Sequence, residues 1–518
     1  MCRRARWLIL CFALWVVTGA MAADTAGFCK SHAPTLAIEE GDWNGWGNDP
    51  SNSRQQRDPG FAANDVGRLK LKWAFGFAGQ SVAFAHPTFA GGRIFIGSAA
   101  GAVYSIDAAT GCIHWVYRAD AAVRTAILIT KLPAGKWAAF FGDRRGNAYA
   151  IDAETAEFLW KIRVDEHRGA RITGSPVLAG GRLYVPMSSD EESLAQTPEY
   201  RCCTFRGSVT ALDPSTGRIV WKCPVVDGPS KPYSLSASGT EMVGPAGAGI
   251  WSAPTIDIKR QVLYVTTGNS YTGVDLGTSD AIVAVDLDSG KLVWSRQTHA
   301  RDNFIAGCPY HPNCPPGNGD DFDYGSSAVL RTLPDGSEIL VAGEKSGVVY
   351  GLDPDHQGKI LWQTRVGEGG SLGGIQWGLA ADEGLVYAAV SDRLLGRFNR
   401  AGLYALKLAT GELKWSAPAP AAPGNPAQSA AVSTMPGLVF SGSVNGHFRA
   451  YSIASGAIVW DYDTKRAFDT VNGVEGHGGS IDGPGPVIAH GMVFTNSGYV
   501  SFGGTAGNVL LAFSIDGK

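Results

Sequence analysis

The segment GAVYSIDAATGCIHW, residues 101–115, is the strongest indication of the fold, because variants of it recur along the chain. Each copy has a glycine, an alternating apolar strand, a turn rich in Asp, Ser, Thr and Gly, and a short strand that ends in tryptophan. Period-two alternation on both sides of such a turn predicts a β-hairpin. Further full copies lie at residues 146–160, 207–221, 280–294, 347–362, 401–415 and 446–460.

Two half-copies lie near the chain ends. LKLKW, residues 69–73, matches only the last strand of the repeat, and GNVLLAFSIDG, residues 507–517, matches only the earlier strand and turn. The repeats therefore end in eight tryptophans, which imply eight units. A four-stranded unit cannot bury both of its faces alone, so the units must stack. The complementary halves favour a closed ring over a linear array, because pairing them removes an exposed sheet edge.

We therefore predict an all-β fold, an eight-bladed β-propeller of four-stranded blades that is closed by the N- and C-terminal strands. The propeller is predicted to span residues 67–518, with residues 23–66 packed on it. The eight repeat tryptophans are expected to pack between blades. Successive repeat tryptophans are 42, 45, 61, 73, 68, 53 and 45 residues apart, so the middle intervals carry insertions. Extra loops on consecutive blades are where a functional site is expected.

The N-terminus and the composition indicate an exported protein. Three arginines, an apolar run over residues 7–17 and Ala20-Met21-Ala22 predict a signal peptide, residues 1–22, with an uncleaved anchor as the alternative. No second apolar run of spanning length follows, so we expect a periplasmic or secreted protein without a membrane span after signal removal. The net charge is −3 and no basic stripe is present, so nucleic acid is not an expected partner.

Seven cysteines follow the signal peptide, and an odd number leaves at least one thiol outside intramolecular disulfides. The adjacent Cys202 and Cys203 either form a vicinal disulfide or pair elsewhere. No C-x-x-C-H sequence occurs, so covalent haem is not expected.

The repeat, with its pattern A-x-D-x-x-T-G-x-x-x-W, resembles that of pyrroloquinoline quinone (PQQ) dehydrogenases. GDWNGWGNDPSNSRQQ at residues 41–56, DVGRLKLKWAFGF at 65–77 and YRCCTFRGSV at 200–209 resemble the polyvinyl alcohol dehydrogenase branch. The resemblance implies a quinoprotein that oxidises polyvinyl alcohol or related secondary alcohols with PQQ and calcium. Two alternatives remain: a non-catalytic scaffold of the outer-membrane assembly lipoprotein type, which shares the repeat, and a PQQ enzyme for sugars or small alcohols.

The resemblance also implies a calcium site, and calcium prefers oxygen ligands. Glu191 in LYVPMSSDEE matches the family's metal-binding glutamate, with Glu192 as the alternative. Asn269 in VLYVTTGNSYTG matches its asparagine ligand. GNGDDFDYGSS resembles the family pattern D-x-W-D-Y, which makes Asp323 both a metal ligand and the catalytic base and Asp321 the first acid. Without the resemblance, these segments read as a solvated acidic loop and an ordinary turn.

The remaining residues matched by the resemblance are cofactor contacts. Trp251 lies outside the repeat and is expected to stack on the quinone ring. The residues expected at its anionic groups are Arg124, Thr173, Ser188, Ser189 and Lys345. In the implied reaction, Asp323 removes the hydroxyl proton of the alcohol while hydride leaves the carbon. Because the chain lacks a cytochrome segment, the expected electron acceptor is a separate one such as a periplasmic cytochrome c.

Overall fold

A computed structural model of the chain describes residues 27–518, apart from residues 32, 316, 394–399 and 422. The predicted signal peptide, residues 1–22, lies outside these residues. The described residues form eight four-stranded antiparallel blades of a β-propeller, as the repeats predicted. The first strands of neighbouring blades contact one another, so they line the central channel and later strands lie further out.

In blades 1 to 7 the four strands follow one another along the chain from the inner strand outward. Blade 1 contains Thr88–Ala90, Arg93–Ile96, Ala102–Asp107 and Ile113–Arg118; blade 2 contains Leu128–Lys131, Trp137–Gly142, Asn147–Asp152 and Phe158–Arg163; blade 3 contains Val177–Ala179, Arg182–Ser189, Ser208–Leu212 and Ile219–Pro224; blade 4 contains Thr255–Asp257, Val262–Thr266, Ala281–Asp286 and Leu292–Gln297. Blade 5 contains Val329–Thr332, Glu338–Gly343, Val348–Asp353 and Lys359–Arg365; blade 6 contains Ala380–Ala381, Leu385–Val390, Gly402–Lys407 and Leu413–Pro418; blade 7 contains Ser433–Met435, Leu438–Gly442, His447–Ser452 and Ile458–Asp463.

Blade 8 is built from both ends of the chain. Its inner three strands are Val487–Ala489, Met492–Ser497 and Val509–Ile515, and its outer strand is Leu69–Gly76. Leu69–Gly76 pairs antiparallel with Val509–Ile515 along its whole length. The predicted closure of the ring is therefore confirmed.

The remaining regular elements are short and lie in loops. They are the α-helix Glu191–Leu194, the 3-10 helices Ala63–Arg68, Pro354–His356 and Ser501–Gly503, the strand Ala170–Arg171 beside blade 3, and the strand pairs Lys231–Leu235 with Glu241–Gly244 and Ala467–Phe468 with Gly476–His477. Among the helices in the described part of the chain, none has the length and apolar character needed to cross a bilayer.

The repeat tryptophans join each blade to the next. The indole nitrogen of Trp160 in blade 2 donates a hydrogen bond of 2.9 Å to the carbonyl of Pro214, in the turn of blade 3. Gly217 of that turn has φ +72°, and a Cβ there would lie 2.7 Å from the same indole, so the turn requires glycine. Trp460 completes the ring by donating to the carbonyl of Leu69 in blade 8. The predicted packing of these tryptophans between blades is confirmed.

A segment that precedes the first blade runs across the central channel; we call residues 43–60 the plug. Its carbonyls accept hydrogen bonds from the inner strands of blades 4 to 7, namely Ile256 to Pro50, Leu330 to Ser51, Ala381 to Ser53 and Thr434 to Arg54. Arg54 is fully buried and donates to the carbonyls of Trp46 and Val432 and to the hydroxyl of Ser433. The plug therefore ties four blades together at the axis. The exact domain boundaries at residues 23, 66 and 67 stay a prediction.

The cysteine count predicted at least one unpaired thiol, and the pairing shows which one. Cys29 bonds to Cys112, Cys202 to Cys203 and Cys308 to Cys314. Cys223 is the free cysteine of the described residues and is buried. The adjacent pair thus adopts the vicinal disulfide that the sequence left open.

Candidate active site

A cavity of about 560 Å³ opens on one face of the ring, over the central channel. Its walls are loops that follow the second strands of blades and loops that connect successive blades. Residues as distant in sequence as Arg124 and Phe502 line it, because ring closure brings all blades around one axis. Of the residues singled out from the sequence, the cavity is lined by Arg124, Thr173, Ser188, Ser189, Trp251, Asn269, Asp321, Asp323 and Lys345.

Glu191 does not line this cavity, whereas Glu192 does. The Glu191 carboxylate is fully buried behind the wall, where it accepts hydrogen bonds from the Tyr200 hydroxyl (2.8 Å) and the backbone amides of Thr204 (2.9 Å) and Phe205 (2.8 Å). Because those bonds hold the Glu191 carboxylate behind the wall, the geometry favours Glu192, the alternative that the sequence left open, and the choice of metal ligand stays a prediction. Successive residues of a helix point about 100° apart, so the next glutamate of the same helical turn faces the cavity.

Asp323 lies at the floor of the cavity with both carboxylate oxygens engaged. Oδ1 accepts a hydrogen bond of 2.6 Å from the backbone amide of Asn269, and Oδ2 lies 2.9 Å from Lys345 Nζ. Lys345 Nζ also donates to Asp321 Oδ1 at 2.8 Å. A Cβ at residue 268 would lie 2.8 Å from Asp323 Oδ1, so Gly268 permits this close approach to the backbone. The arrangement orients Asp323 and places a cation beside it.

The charges around this floor are not balanced within the protein. Burial lowers the pKa of Lys345, but the carboxylates of Asp321 and Asp323 outweigh burial and raise it, so the ammonium stays charged. Burial, and then the negative charge of Asp323, raise the pKa of Glu192 to about 8. Asp280 is fully buried behind this floor, and neither of its oxygens has a hydrogen-bond partner in the described part of the chain. Several carboxylates thus share one lysine, and such a site favours an added cation.

The donor atoms at this position fit a hard cation such as calcium. The Asn269 amide nitrogen donates to the carbonyls of Ser270 (2.9 Å) and Phe304 (2.8 Å), which leaves its side-chain oxygen available to a cation. Together with the carboxylates of Glu192 and Asp323, the cavity offers oxygen ligands of the kind that calcium takes.

Aromatic and cationic side chains form the wall beside the acids. The Trp251 ring meets the Trp377 ring edge to face at 5.3 Å, and Lys345 Nζ lies 5.5 Å from the Trp251 ring centre. A Cβ at Gly325 would lie 2.0 Å from the Trp251 ring, so glycine is required for the ring to occupy this position. The Arg124 guanidinium lies 4.1 Å from the Trp377 ring centre. These groups give the cavity a flat aromatic surface with positive charge beside it.

Two hydroxyls and further arginines complete the lining. Thr173 Oγ1 and Ser188 Oγ are 2.7 Å apart and hydrogen-bonded. Arg393 forms an ion pair of 2.7 Å with Asp482, and that carboxylate also accepts a bond of 2.6 Å from the Trp377 indole. Hydroxyl and guanidinium groups of this kind bind carboxylates well.

Sequence reasoning missed several of these residues, including Arg144, Arg393 and Asp482. A periodic signal for two of them does exist in the sequence. Asp143-Arg144 and Glu344-Lys345 directly follow the second strands of blades 2 and 5, and Asp392-Arg393 follows that of blade 6 after one more residue, so an acid and then a base recur just beyond this strand. In every case the basic residue lines the cavity. Aligning the repeats on their second strands would have found them.

Comparison with known families gives two matches. Residues 43–314 match the PQQ family described as "Glucose/ethanol/alcohol dehydrogenase, beta-propeller domain". Residues 205–499 match "Outer membrane protein assembly factor BamB", whose solved structure from Moraxella catarrhalis has a TM-score of 0.51 at 15% identity and covers 86% of this chain and 99% of that one. At that identity the second likeness shows the fold alone.

Relatives that are similar over nearly the whole of this chain distinguish between the two families. A polyvinylalcohol dehydrogenase of Pseudomonas sp. is 43% identical over 526 residues, which cover 98% of this chain and 82% of the relative. A second one, from Sphingopyxis sp. (strain 113P3), is 43% identical over 92% of this chain and 77% of its own. The solved structure of a quinohaemoprotein alcohol dehydrogenase from Pseudomonas putida HK5 has a TM-score of 0.70 at 18% identity and covers 93% of this chain and 81% of that one. This chain therefore belongs to the PQQ-dependent alcohol dehydrogenase family and is a quinoprotein-type alcohol oxidoreductase.

Proposed function

We propose that this protein oxidises polyvinyl alcohol or related secondary alcohols in the periplasm with PQQ and calcium, and passes the electrons to an external acceptor such as a cytochrome c. The observation that carries the proposal is the cavity, in which the oriented Asp323 lies beside Lys345, oxygen ligands and the Trp251 ring. The names of the two relatives at 43% identity support the choice of substrate.

The lining of the cavity fits a flat quinone that carries three carboxylates. Trp251 offers an aromatic face, and Arg124 and the hydroxyls of Thr173, Ser188 and Ser189 offer groups for the carboxylates. When bound, PQQ supplies the acceptor for the hydride of the alcohol. The protein supplies the position of the ring and the charges around it.

Calcium would be held by Glu192, the side-chain oxygen of Asn269 and Asp323. This assignment replaces Glu191 by its neighbour and is supported by the cavity lining and by the excess of carboxylates. A cation there would supply positive charge for the quinone oxygen of the cofactor.

Asp323 is the base in this proposal. The Asn269 amide and the Lys345 ammonium orient its carboxylate in the cavity, so that it can accept the hydroxyl proton of the alcohol. Lys345 also places a positive charge next to the Trp251 ring, where it would stabilise negative charge on a quinone bound against that ring.

The experiment is reconstitution of the purified protein with PQQ and calcium, followed by dye reduction with polyvinyl alcohol, 2-butanol, ethanol and glucose. We expect turnover with the polymer and with the secondary alcohol, and loss of turnover when a chelator removes calcium. Turnover with glucose or ethanol alone would replace the substrate assignment. Absence of dye reduction, together with no thermal shift on adding PQQ and calcium, would contradict the proposal and favour a scaffold.

The proposed periplasmic location is supported by features of the chain other than the cavity. The predicted signal peptide and the disulfides Cys29–Cys112 and Cys308–Cys314 are typical of an oxidising compartment. Cell fractionation should recover the protein with periplasmic markers.

Reduction of a purified periplasmic cytochrome c by the reconstituted enzyme and alcohol tests the proposed electron acceptor. A rate of cytochrome reduction no greater than that without alcohol would exclude this acceptor.

A further inference from the structure

The side chain of Phe502 is apolar and largely exposed to solvent at the edge of the cavity. Phe502 lines the cavity, and its residue is 64% exposed. It belongs to the 3-10 turn Ser501–Gly503 and has φ +53° and ψ +38°, a left-handed conformation that a bulky residue rarely adopts. Residues in such conformations concentrate at functional sites, where the surrounding structure holds them in place. We call residues 499–505 the mouth turn.

The mouth turn is anchored to the interior of the site. The amide of Thr505 donates to the Ser480 hydroxyl at 2.7 Å, and the amide of Tyr499 donates to the carbonyl of Thr505 at 3.1 Å. The Arg393 guanidinium reaches the carbonyl of Ser501 at 3.5 Å while it forms its ion pair with Asp482. The turn that presents Phe502 is therefore connected to the same residues that hold the aromatic wall.

Two more apolar side chains lie in other loops of the cavity. Phe304 belongs to the insertion between blades 4 and 5, and Leu372 to the loop between blades 5 and 6. Both are half-buried, and Phe502 comes from blade 8. Apolar contacts thus come from three separate loops, whereas the floor around Asp323 is charged.

A polymeric alcohol needs such a surface, and this step rests on the proposed function. Only one carbinol unit can reach Asp323 at a time, so the chain on either side of that unit must lie along the mouth. Its backbone is hydrocarbon and gains free energy from contact with apolar side chains. We infer that Phe502, with Phe304 and Leu372, binds the carbon chain of a polymeric secondary alcohol beside the reacting unit, and so determines the preference for polymer over short alcohols.

The test compares one polymeric and one short substrate in the reconstituted enzyme. Phe502→Ala should raise KM for polyvinyl alcohol roughly fivefold to tenfold, the equivalent of losing one good apolar contact. The KM for 2-butanol and both kcat values should stay within about twofold. The matched control is Phe158→Ala, because Phe158 is also exposed (55%) but lies on the outer strand of blade 2 and not in the cavity.

A binding measurement separates contact from catalysis. In the Asp323→Asn background, loaded with PQQ and calcium, calorimetric titration with polyvinyl alcohol should show weaker binding for Phe502→Ala, and Phe502→Trp should restore it. The inference is overturned by an unchanged polymer KM and affinity in Phe502→Ala, by an equal loss for 2-butanol, or by a wild-type enzyme that oxidises 2-butanol but not the polymer. Wild-type protein that oxidises no alcohol at all would instead refute the proposed function, on which this inference depends.

Discussion

At the scale of single residues, the carboxylate of Asp323 is held between the amide of Asn269 and the ammonium of Lys345. If this carboxylate is the base, Asp323→Asn should lower kcat by about 10²- to 10⁴-fold, because the amide cannot accept the proton. The affinity for PQQ, measured by equilibrium titration, should change little. The exposed neighbour Asp320 supplies the control, and Asp320→Asn should leave kcat unchanged. Near-normal turnover of Asp323→Asn would remove this residue from the reaction.

The two adjacent glutamates have different expected roles. Glu192→Gln should weaken calcium binding by roughly tenfold or more, since it removes one charged ligand. Glu191→Gln should instead lower the unfolding temperature, because it disturbs buried hydrogen bonds with the amides of Thr204 and Phe205. Thermal unfolding of both variants, recorded with and without calcium, measures both effects. The unfolding temperature reports stability, and its shift on adding calcium reports calcium affinity. A loss of calcium affinity in Glu191→Gln alone would reverse the assignment.

Resemblance of sequence segments identified the acidic loop but could not choose between these glutamates. Adjacent residues share every property that a sequence pattern reads, and they differ only in the direction of the side chain. That direction depends on the short helix Glu191–Leu194. It also depends on the groups of residues 200–205 that donate hydrogen bonds to the Glu191 carboxylate. The choice between Glu191 and Glu192 as the residue at the cavity therefore depends on the folded conformation of the loop.

At the scale of elements, the plug makes the central contacts of the ring through a fully buried arginine. Burial lowers the pKa of Arg54 to about 9, and its donors satisfy the carbonyls of Trp46 and Val432. Arg54→Ala should destabilise the protein by about 2 kcal/mol or more, because buried carbonyls lose their partners and a cavity remains. Urea denaturation gives this difference.

Arg57 is the comparison residue for this prediction. Its side chain is 70% exposed and makes a surface ion pair with Glu383. Surface pairs of this kind contribute little, so Arg57→Ala should change the stability by less than about 0.5 kcal/mol. Equal effects of the two substitutions would show that the plug does not stabilise the ring through Arg54.

At the scale of the whole molecule, the acids buried beside the site make the stability depend on pH. Burial raises the pKa of Glu344 from 4.5 to about 7, although hydrogen bonds from Ser346 and Thr298 oppose the shift. Between those pH values the folded protein keeps a proton that the unfolded chain loses, so stability falls as pH rises from about 4.5 to 7. This contribution amounts to roughly 3 kcal/mol at most.

Glu344→Gln removes the titrating group and tests this dependence. The difference in unfolding temperature between pH 5 and pH 7.5 should be smaller in the variant than in the wild type, whatever the variant's absolute stability. Thermal denaturation followed by circular dichroism at both pH values gives the comparison. An identical pH dependence in the two proteins would assign the proton to another group.

The ring could be predicted from the repeats: its eight units, its tryptophan contacts and its closure by Leu69–Gly76. These features follow from hairpin patterns that are local and periodic, and a periodic pattern can be counted without knowing the structure. The site depended on family resemblance, since Asn269, Trp251 and Asp323 have no periodicity of their own.

Other features of the site depend on how the loops fold. Folding places Glu192 at the cavity and Glu191 behind its wall, brings Asp482 to the wall, and places Phe502 at the mouth. The physical reason is that ring closure joins loops hundreds of residues apart, and the direction of each side chain depends on partners in other loops. Such contacts are non-local and leave no pattern in a single sequence.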